Sequence, residues 1–295
     1  MLRVVSVSLG TPRRDYQYQL SLSGRTLSVA RLGCHGDFSR AAQLLSSLDG
    51  KVTALGLGGV NLFYHLGRCR IPCPAGQYLA SGVQSTPLVD GSGWKEAVEP
   101  LAVNTLLQAG IDLAGKRALV VSVLDRYWLA EALARAGCRV WAGDAAFGLK
   151  LPVLLPFRFF LRAAPPALPF LARLPLNYLY PLGPRQERIT RGLAFLYRRA
   201  DIIAGNWHFI RRYLPSDLKG KIIITAGTTP EDRRLLQQRG VGYLVSLSPL
   251  WGEISPSANV LEAVLTALGA TQVGSEHLKH LVATLGWQPR LIKLH

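Results

Sequence analysis

One stretch constrains the fold more than any other. Lys116 to Val123 (KRALVVSV) is a mostly apolar run, as expected of a strand covered on both faces. Asp125 then reads as a helix cap, a helical stretch runs to about Ala136, Gly137 stops it, and Arg139 to Ala142 reads as the next strand. Strand, helix and strand joined by short connections imply a parallel pair with a right-handed crossover. The rhythm resumes downstream. Strands at 200–204, 221–225 and 242–247 alternate with helices at 207–213 and 230–239, and a further helix spans about Asn259 to Leu268. The expectation is an α/β fold with Val121, Ile202 and Ile223 on neighbouring strands of one mostly parallel sheet.

The first third carries a second α/β pattern. Residues 3–9 read as a strand, and 16–22 and 25–32 alternate polar and apolar residues around a Ser23-Gly24 turn, which predicts a hairpin. Asp37 has the character of an N-cap for a helix over 38–48 that Gly50 ends. Val52 to Leu57 reads as a buried strand, and a helix from about Trp94 to Ala109 contains Pro100. The predicted organisation is an N-terminal α/β domain over 1–105 and a Rossmann-like domain over 106–270, followed by a helical tail over 271–295. Residues 149–184 interrupt the second domain with eight prolines among Leu, Phe and Arg, a density that predicts no long helix there.

The formal charge is +16, and Lys150 to Arg199 holds nine basic residues against one acid, Glu187. Such an excess attracts polyanions: anionic lipid, phosphorylated small molecules or nucleic acid. Arg-favouring codon usage is the alternative source of such an excess. No nucleic-acid reading motif accompanies the charge, so nucleic acid is the least favoured partner. In the 150–183 stretch, Phe157, Phe159, Phe160, Phe170, Tyr178 and Tyr180 suit a headgroup boundary beside the Arg residues. A homodimer-contact arm or a lid over a cleft are the other readings of that stretch. Cys34, Cys69, Cys73 and Cys138 are too few for a disulfide scaffold, and His65, Cys69 and Cys73 lack a standard zinc spacing, so no metal is expected. No apolar run reaches membrane-spanning length, and the start is not a signal peptide; the expected location is cytoplasmic, peripheral to a membrane if 150–183 docks there.

Two segments carry a family likeness. Val89-Asp90-Gly91-Ser92-Gly93-Trp94, then a helix, then Ala109-Gly110-Ile111-Asp112-Leu113-Ala114-Gly115-Lys116-Arg117 running into the strand, resembles shikimate/quinate dehydrogenases. Ala200 to Ile203 and Leu218 to Ile223 are similar to later strands of that family, including bacterial proteins labelled quinate 5-dehydrogenase by similarity. The resemblance implies an oxidoreductase acting on a small hydroxy acid with NAD or NADP, through a Lys and an Asp. It places the Asp at Asp90. The family's upstream lysine segment has no counterpart after Val52-Thr53, which leaves Lys95 as the nearby basic substitute. Asp144, about twenty residues past the first strand, takes the place of the ribose-binding acid. The turn between them, Ser122-Val123-Leu124-Asp125-Arg126, lacks the glycines that let a pyrophosphate approach the backbone.

Other candidates lie at strand ends, where α/β proteins place ligands. Gly56, Gly58 and Gly59 form a turn that either cradles an anion or packs tightly. Gly91, Ser92 and Gly93 follow Asp90 and bind substrate or cap the next helix. Asn206, Thr228 and Thr229 end later strands; Thr229 also suits a cap for the helix starting at Pro230. The alternative to a dehydrogenase is a non-catalytic Rossmann-like protein that holds a phosphorylated or acidic metabolite on these groups.

Overall fold

Continuous apolar strands must be covered on both faces, and two sheets here satisfy that demand. A computed structural model describes residues 1–67, 69–171, 189–190, 192–270 and 276–295. The first sheet has the order β2-β3-β1-β4-β7, from β1 Leu2–Ser8, β2 Tyr16–Leu22, β3 Arg25–Gly33, β4 Ala54–Gly58 and β7 Leu88–Val89. Strands β3, β1, β4 and β7 run parallel, and β2 joins β3 as the predicted antiparallel hairpin. Alternation along β1 sorts its side chains: Val4 joins a core with Leu27, Val29 and Trp94, while Val5 and Val7 pack on the other face beneath helix α1, Phe38–Leu48. Asp37 caps α1 by accepting the Arg40 N–H.

The second sheet has the order β10-β9-β8-β11-β12-β13-β14. Its parallel centre is β9 Arg139–Ala142, β8 Arg117–Val120, β11 Ile202–Ala204, β12 Ile222–Thr225 and β13 Tyr243–Ser246. Ile202 lies opposite Ala118 on one side and Ile222 on the other, so the predicted three neighbours are parallel neighbours. Antiparallel edges, β10 Leu155–Pro156 and β14 Arg290–Lys293, close the two sides. Residue parity again divides the cores: Ala118 and Val120 face α4, Tyr127–Arg135, whereas Leu119 and Val121 face the helices α6 Phe195–Arg198, α7 Trp207–Arg212 and α8 Pro230–Gln238.

Helix α3, Ser92–Gln108, ties the sheets together. Its Trp94 and Val98 belong to the first sheet's core and its Ala102, Val103 and Leu106 to the second's. Pro100 removes one helical hydrogen bond, yet burial at both ends of the helix keeps it continuous. The chain returns as α9, Ala258–Ala267, and α10, Glu276–Thr284, which pack against α3 and the first sheet's core. Residues assigned from sequence to the second domain therefore complete the first. Trp94, Trp251 and Trp287 meet at this return, with ring centroids 5.9 and 6.1 Å apart about Trp287.

Three local expectations fail for physical reasons. Residues 157–171 form helix α5 despite Pro165, Pro166 and Pro169. Phe157, Phe160, Ala164 and Leu168 recur at helical spacing and bury against the second core, and that burial outweighs the lost backbone bonds. The tail is not wholly helical, because 290–293 supplies the partner that β13 would otherwise lack. Asp125 does not cap α4; Arg126 holds the N-cap position without a side-chain bond. The difficult stretch after β4 resolves into a hairpin, β5 Phe63–Leu66 and β6 Cys69–Pro72, and a short helix α2, Pro74–Ala80. Tyr178, Tyr180, Arg173, Arg185, Arg188 and Arg191 of the predicted insertion and its basic run lie outside the described residues.

Trp287→Ala removes a buried ring shared by two returning segments. It is expected to cost about 3–5 kcal/mol in urea unfolding monitored by circular dichroism. A loss under about 1 kcal/mol would contradict the packing role assigned to that ring.

Candidate functional site

In each sheet the chain starts a strand in the middle and departs first to one side, then to the other. Such reversals open a crevice beyond the carboxyl ends of the strands. Here the two crevices face each other and merge into one cleft of about 760 Å³. Ser8, Gly58 and Asp90 line it from the first sheet, and Ser122, Asn206 and Thr228 from the second. That volume suits a small metabolite.

A chain of buried charges runs beside the cleft. Lys95 and Glu99 lie one turn apart on α3, so they share a face. Lys95 Nζ meets Asp125 Oδ1 at 2.7 Å and Asn61 Oδ1 at 3.3 Å. Asp125 Oδ2 lies 3.2 Å from Arg126 Nε, and Arg126 Nη1 donates to Glu99 Oε1 at 2.7 Å. Glu99 Oε2 accepts the Leu129 N–H, so a side chain of α3 satisfies an orphan donor of α4 that Asp125 leaves unmet. Burial alone would raise Asp125; the charges of Lys95 and Arg126 outweigh it and hold the carboxyl at about 2. Burial dominates at Glu99 and pushes it upward despite Arg126. Asp90 points its carboxylate at the Leu62 and Ser92 N–H groups.

The other end of the cleft is cationic. Arg31 Nη1 donates to Asp15 Oδ1 at 2.6 Å and to the Thr11 carbonyl, and its Nη2 donates to Ser8 Oγ. Arg14 crosses the cleft from the first sheet's side, donating to the Gly227 carbonyl at 3.1 Å and lying 3.4 Å from Asp232. Arg211 approaches Asp232 at 3.5 Å. Burial, then the charges of Arg14, Arg31 and Arg211, push His208 well below its ordinary value. Among the described residues, the Tyr16 hydroxyl and His208 Nδ1 are buried without hydrogen-bond partners.

The turn after β8 does not fit a dinucleotide. Asp144 Oδ1 accepts from Ser122 Oγ at 2.9 Å and from the Leu124 N–H at 3.1 Å, and Oδ2 accepts from the Val123 N–H at 2.8 Å. The donors that would grip a pyrophosphate already hold this carboxylate, and no glycine lets a phosphate approach. Burial pushes Asp144 up to about 6 against those hydrogen bonds. Its oxygens thus serve the turn rather than standing free for a ribose.

Asp90, Lys95, Asp144, Asn206, Thr228, Thr229, Gly58 and Gly59 all line the cleft; Gly56, Gly91, Ser92 and Gly93 do not. Gly56, Gly91 and Gly93 pack against the returning helix α9, and the Ser92 N–H donates to Asp90. A Cβ on Gly56 would lie 2.8 Å from the Asn259 carbonyl oxygen, and one on Gly91, at φ +93°, would lie 2.7 Å from the Asn259 nitrogen. Thr229 caps α8 in a reciprocal capping box with Asp232. Asn206 caps α7 by accepting the His208 N–H. Sequence reasoning missed Arg14, Tyr16, Arg31, Asn61, Asp125 and His208 as cleft residues. Arg31 carried a signal: it falls in step with Leu27 and Val29 on the buried phase of β3, where an unexplained charge points to a site.

Behind the site, Glu262 of α9 accepts the Gly93 N–H through Oε2 at 3.1 Å. Burial, then the charge of Asp90, push its carboxyl up to about 8. The folded state therefore holds this proton more tightly than the unfolded chain, whose glutamate titrates near 4.3. The resulting stability is complete below about pH 4 and is lost as pH rises to about 8. Glu262→Gln keeps the neutral form. Its melting temperature is expected to match the wild type at about pH 4 or below, where both states hold the proton, and to exceed it increasingly as pH rises to 9; no difference at pH 9 would refute the assignment.

No curated protein matches the chain in sequence. In fold it is similar to a hetero-hexameric glutamate dehydrogenase from Thermus thermophilus in its Leu-bound form, at 15% identity and TM-score 0.45 over 96% of this chain and 74% of that one. It is also similar to GanP, a glucose-galactose binding protein from Geobacillus stearothermophilus, at 10% identity and TM-score 0.38, with 99% and 97% covered. An L-tryptophan dehydrogenase from Nostoc punctiforme matches at 11% identity and TM-score 0.35, with 96% and 80% covered. Two family models divide the chain where α3 begins. Residues 3–90, the first sheet, match a domain of unknown function (DUF8753). Residues 93–294 match a second model, and the chain belongs to the family it describes, the domain of unknown function DUF8754.

Proposed function

We propose that this protein binds a small acidic metabolite bearing hydroxyl groups in the cleft between its sheets. The ligand's carboxylate or phosphate lies at Arg14 and Arg31, and its hydroxyls reach Asp90, Lys95 and Asn61. One observation carries this reading: Arg14, Arg31, His208 and a Tyr16 hydroxyl that lacks a partner among the described residues line one end of the same cleft. Leaving buried donors unmet costs about 1–3 kcal/mol each, and an anion would supply both acceptors and opposite charge there. The carboxylates elsewhere in the lining suit hydroxyl donors.

A second reading is an oxidoreductase acting on such a hydroxy acid. Its support is that Asp90 and Lys95, the pair expected from the dehydrogenase resemblance, both line the cleft. Bound Asp144 at the β8 turn weighs against NAD or NADP seated there in the usual way. On the binding reading, the Rossmann-like scaffold is retained and its nucleotide grip is not.

A thermal-shift panel of hydroxy acids (quinate and shikimate among them), sugar phosphates, NAD and NADP separates the two. An acidic ligand at a hundred times its dissociation constant stabilises by about 2.7 kcal/mol, while neither nucleotide shifts the melting temperature. Arg14→Gln, which leaves Asp232 paired with Arg211, weakens that ligand by about tenfold or more. A shift with NAD or NADP alone, or a ligand indifferent to Arg14→Gln, would overturn the binding reading.

A further inference from the structure

Helix α5 has two unlike faces. Phe157, Phe160, Ala164 and Leu168 bury against the second core, and Ala163 and Ala167 line the cleft. The opposite side carries Arg158, Phe159, Arg162, Pro166, Pro169 and Phe170, all exposed. At 100° per residue these six fall within an arc of about 120°. Phe159 is 58% exposed and Phe170 71%, and the approach to the helix adds Leu151 and Val153, each about half exposed. Large apolar side chains gathered this way on a surface mark a contact with something else.

The charge around them selects the partner. Lys150, Arg158 and Arg162 flank the aromatic rings, and no acidic residue occurs between Asp144 and Glu187. Aromatic rings interleaved with Arg, without acids, match an anionic lipid surface, where rings enter the headgroup boundary and guanidinium groups meet phosphate. The overall charge of +16 adds long-range attraction of the same sign. The prolines set the depth. Pro165, Pro166 and Pro169 leave the carbonyls of Leu161, Arg162 and Pro165 without helical donors, and such groups need the hydrated boundary rather than the hydrocarbon interior. Among the described residues, no helix is long and apolar enough to cross a membrane.

We propose that α5 docks this protein in the plane of an anionic lipid bilayer through Phe159 and Phe170, steered by Lys150, Arg158 and Arg162. Docking on this face sets the cleft wall against the headgroups and does not depend on what fills the cleft.

The test is sedimentation of the full chain with vesicles of phosphatidylcholine alone or mixed with phosphatidylglycerol. Binding to the mixed vesicles is expected to exceed binding to neutral ones by about tenfold or more and to fall as salt is raised. Arg158→Glu with Arg162→Glu, and separately Phe159→Ser with Phe170→Ser, each lose that binding while keeping the wild-type melting temperature, since all four positions are exposed. Equal pelleting with both vesicle types would overturn the proposal. Binding that survives the double-Phe variant would do so too, by placing the contact elsewhere. So would a wild type that ignores vesicles and forms a dimer which the double-Phe variant dissolves, because the face would then belong to a second copy.

Discussion

The buried charge chain from Lys95 through Asp125 and Arg126 to Glu99 fixes how the two sheets meet. It joins one face of α3 to two consecutive residues of the turn after β8, with every member largely or wholly inside the protein. Removing charges from water costs several kcal/mol per ion, so each charge must keep its partner. The i, i+4 spacing of Lys95 and Glu99 presents a cation and an anion to a turn that presents an anion and a cation in matching order. Sliding α3 by one turn would set Lys95 against Arg126 or leave Glu99 unpaired. Apolar packing alone, with Trp94 in one core and Leu106 in the other, would tolerate more rotation than these pairs allow.

That constraint explains why the β8 turn departs from a nucleotide-binding one. A pyrophosphate turn needs glycines and free N–H groups. This turn spends Asp125 and Arg126 on α3, and its Val123 and Leu124 N–H groups on Asp144. A carboxylate belonging to the fold thus occupies the position of a ligand's anion. The turn becomes part of the joint between the sheets, and the cleft's cations Arg14 and Arg31 come from the first sheet's side.

The architecture was legible because its signals are local and periodic. KRALVVSV, the capping residues and the glycine stops near 137 each specify one element, and the short connections fix parallel neighbours. The errors arose where distant contacts decide. Three prolines argued against α5, and only the second core reveals why the helix persists. Asp125 had the chemistry of a cap, but Lys95, thirty residues away in sequence, claims it. Gly91 and Gly93 looked like a ligand turn because nothing local says that Asn259 and Glu262 press against them. Of the residues picked at strand ends, Asp90, Asn206, Thr228 and Thr229 line the cleft. Its cationic end came from a pre-strand turn and from an inward Arg31, outside any recognised motif.

A two-lobed cleft needs some element that both halves share, and here several serve. Helix α3 spans both cores, α9 and α10 return to the first sheet, and β14 returns again to the second. Three crossings make independent folding of either half costly, since the first sheet's core includes Leu261 and Val264 from the far end of the chain. They also limit how far the lobes separate. Arg14 reaches across to Gly227 and Asp232 at the cleft's cationic end. An anion that competes with Asp232 for Arg14 would weaken the polar latch at that end while the Lys95 chain holds the other.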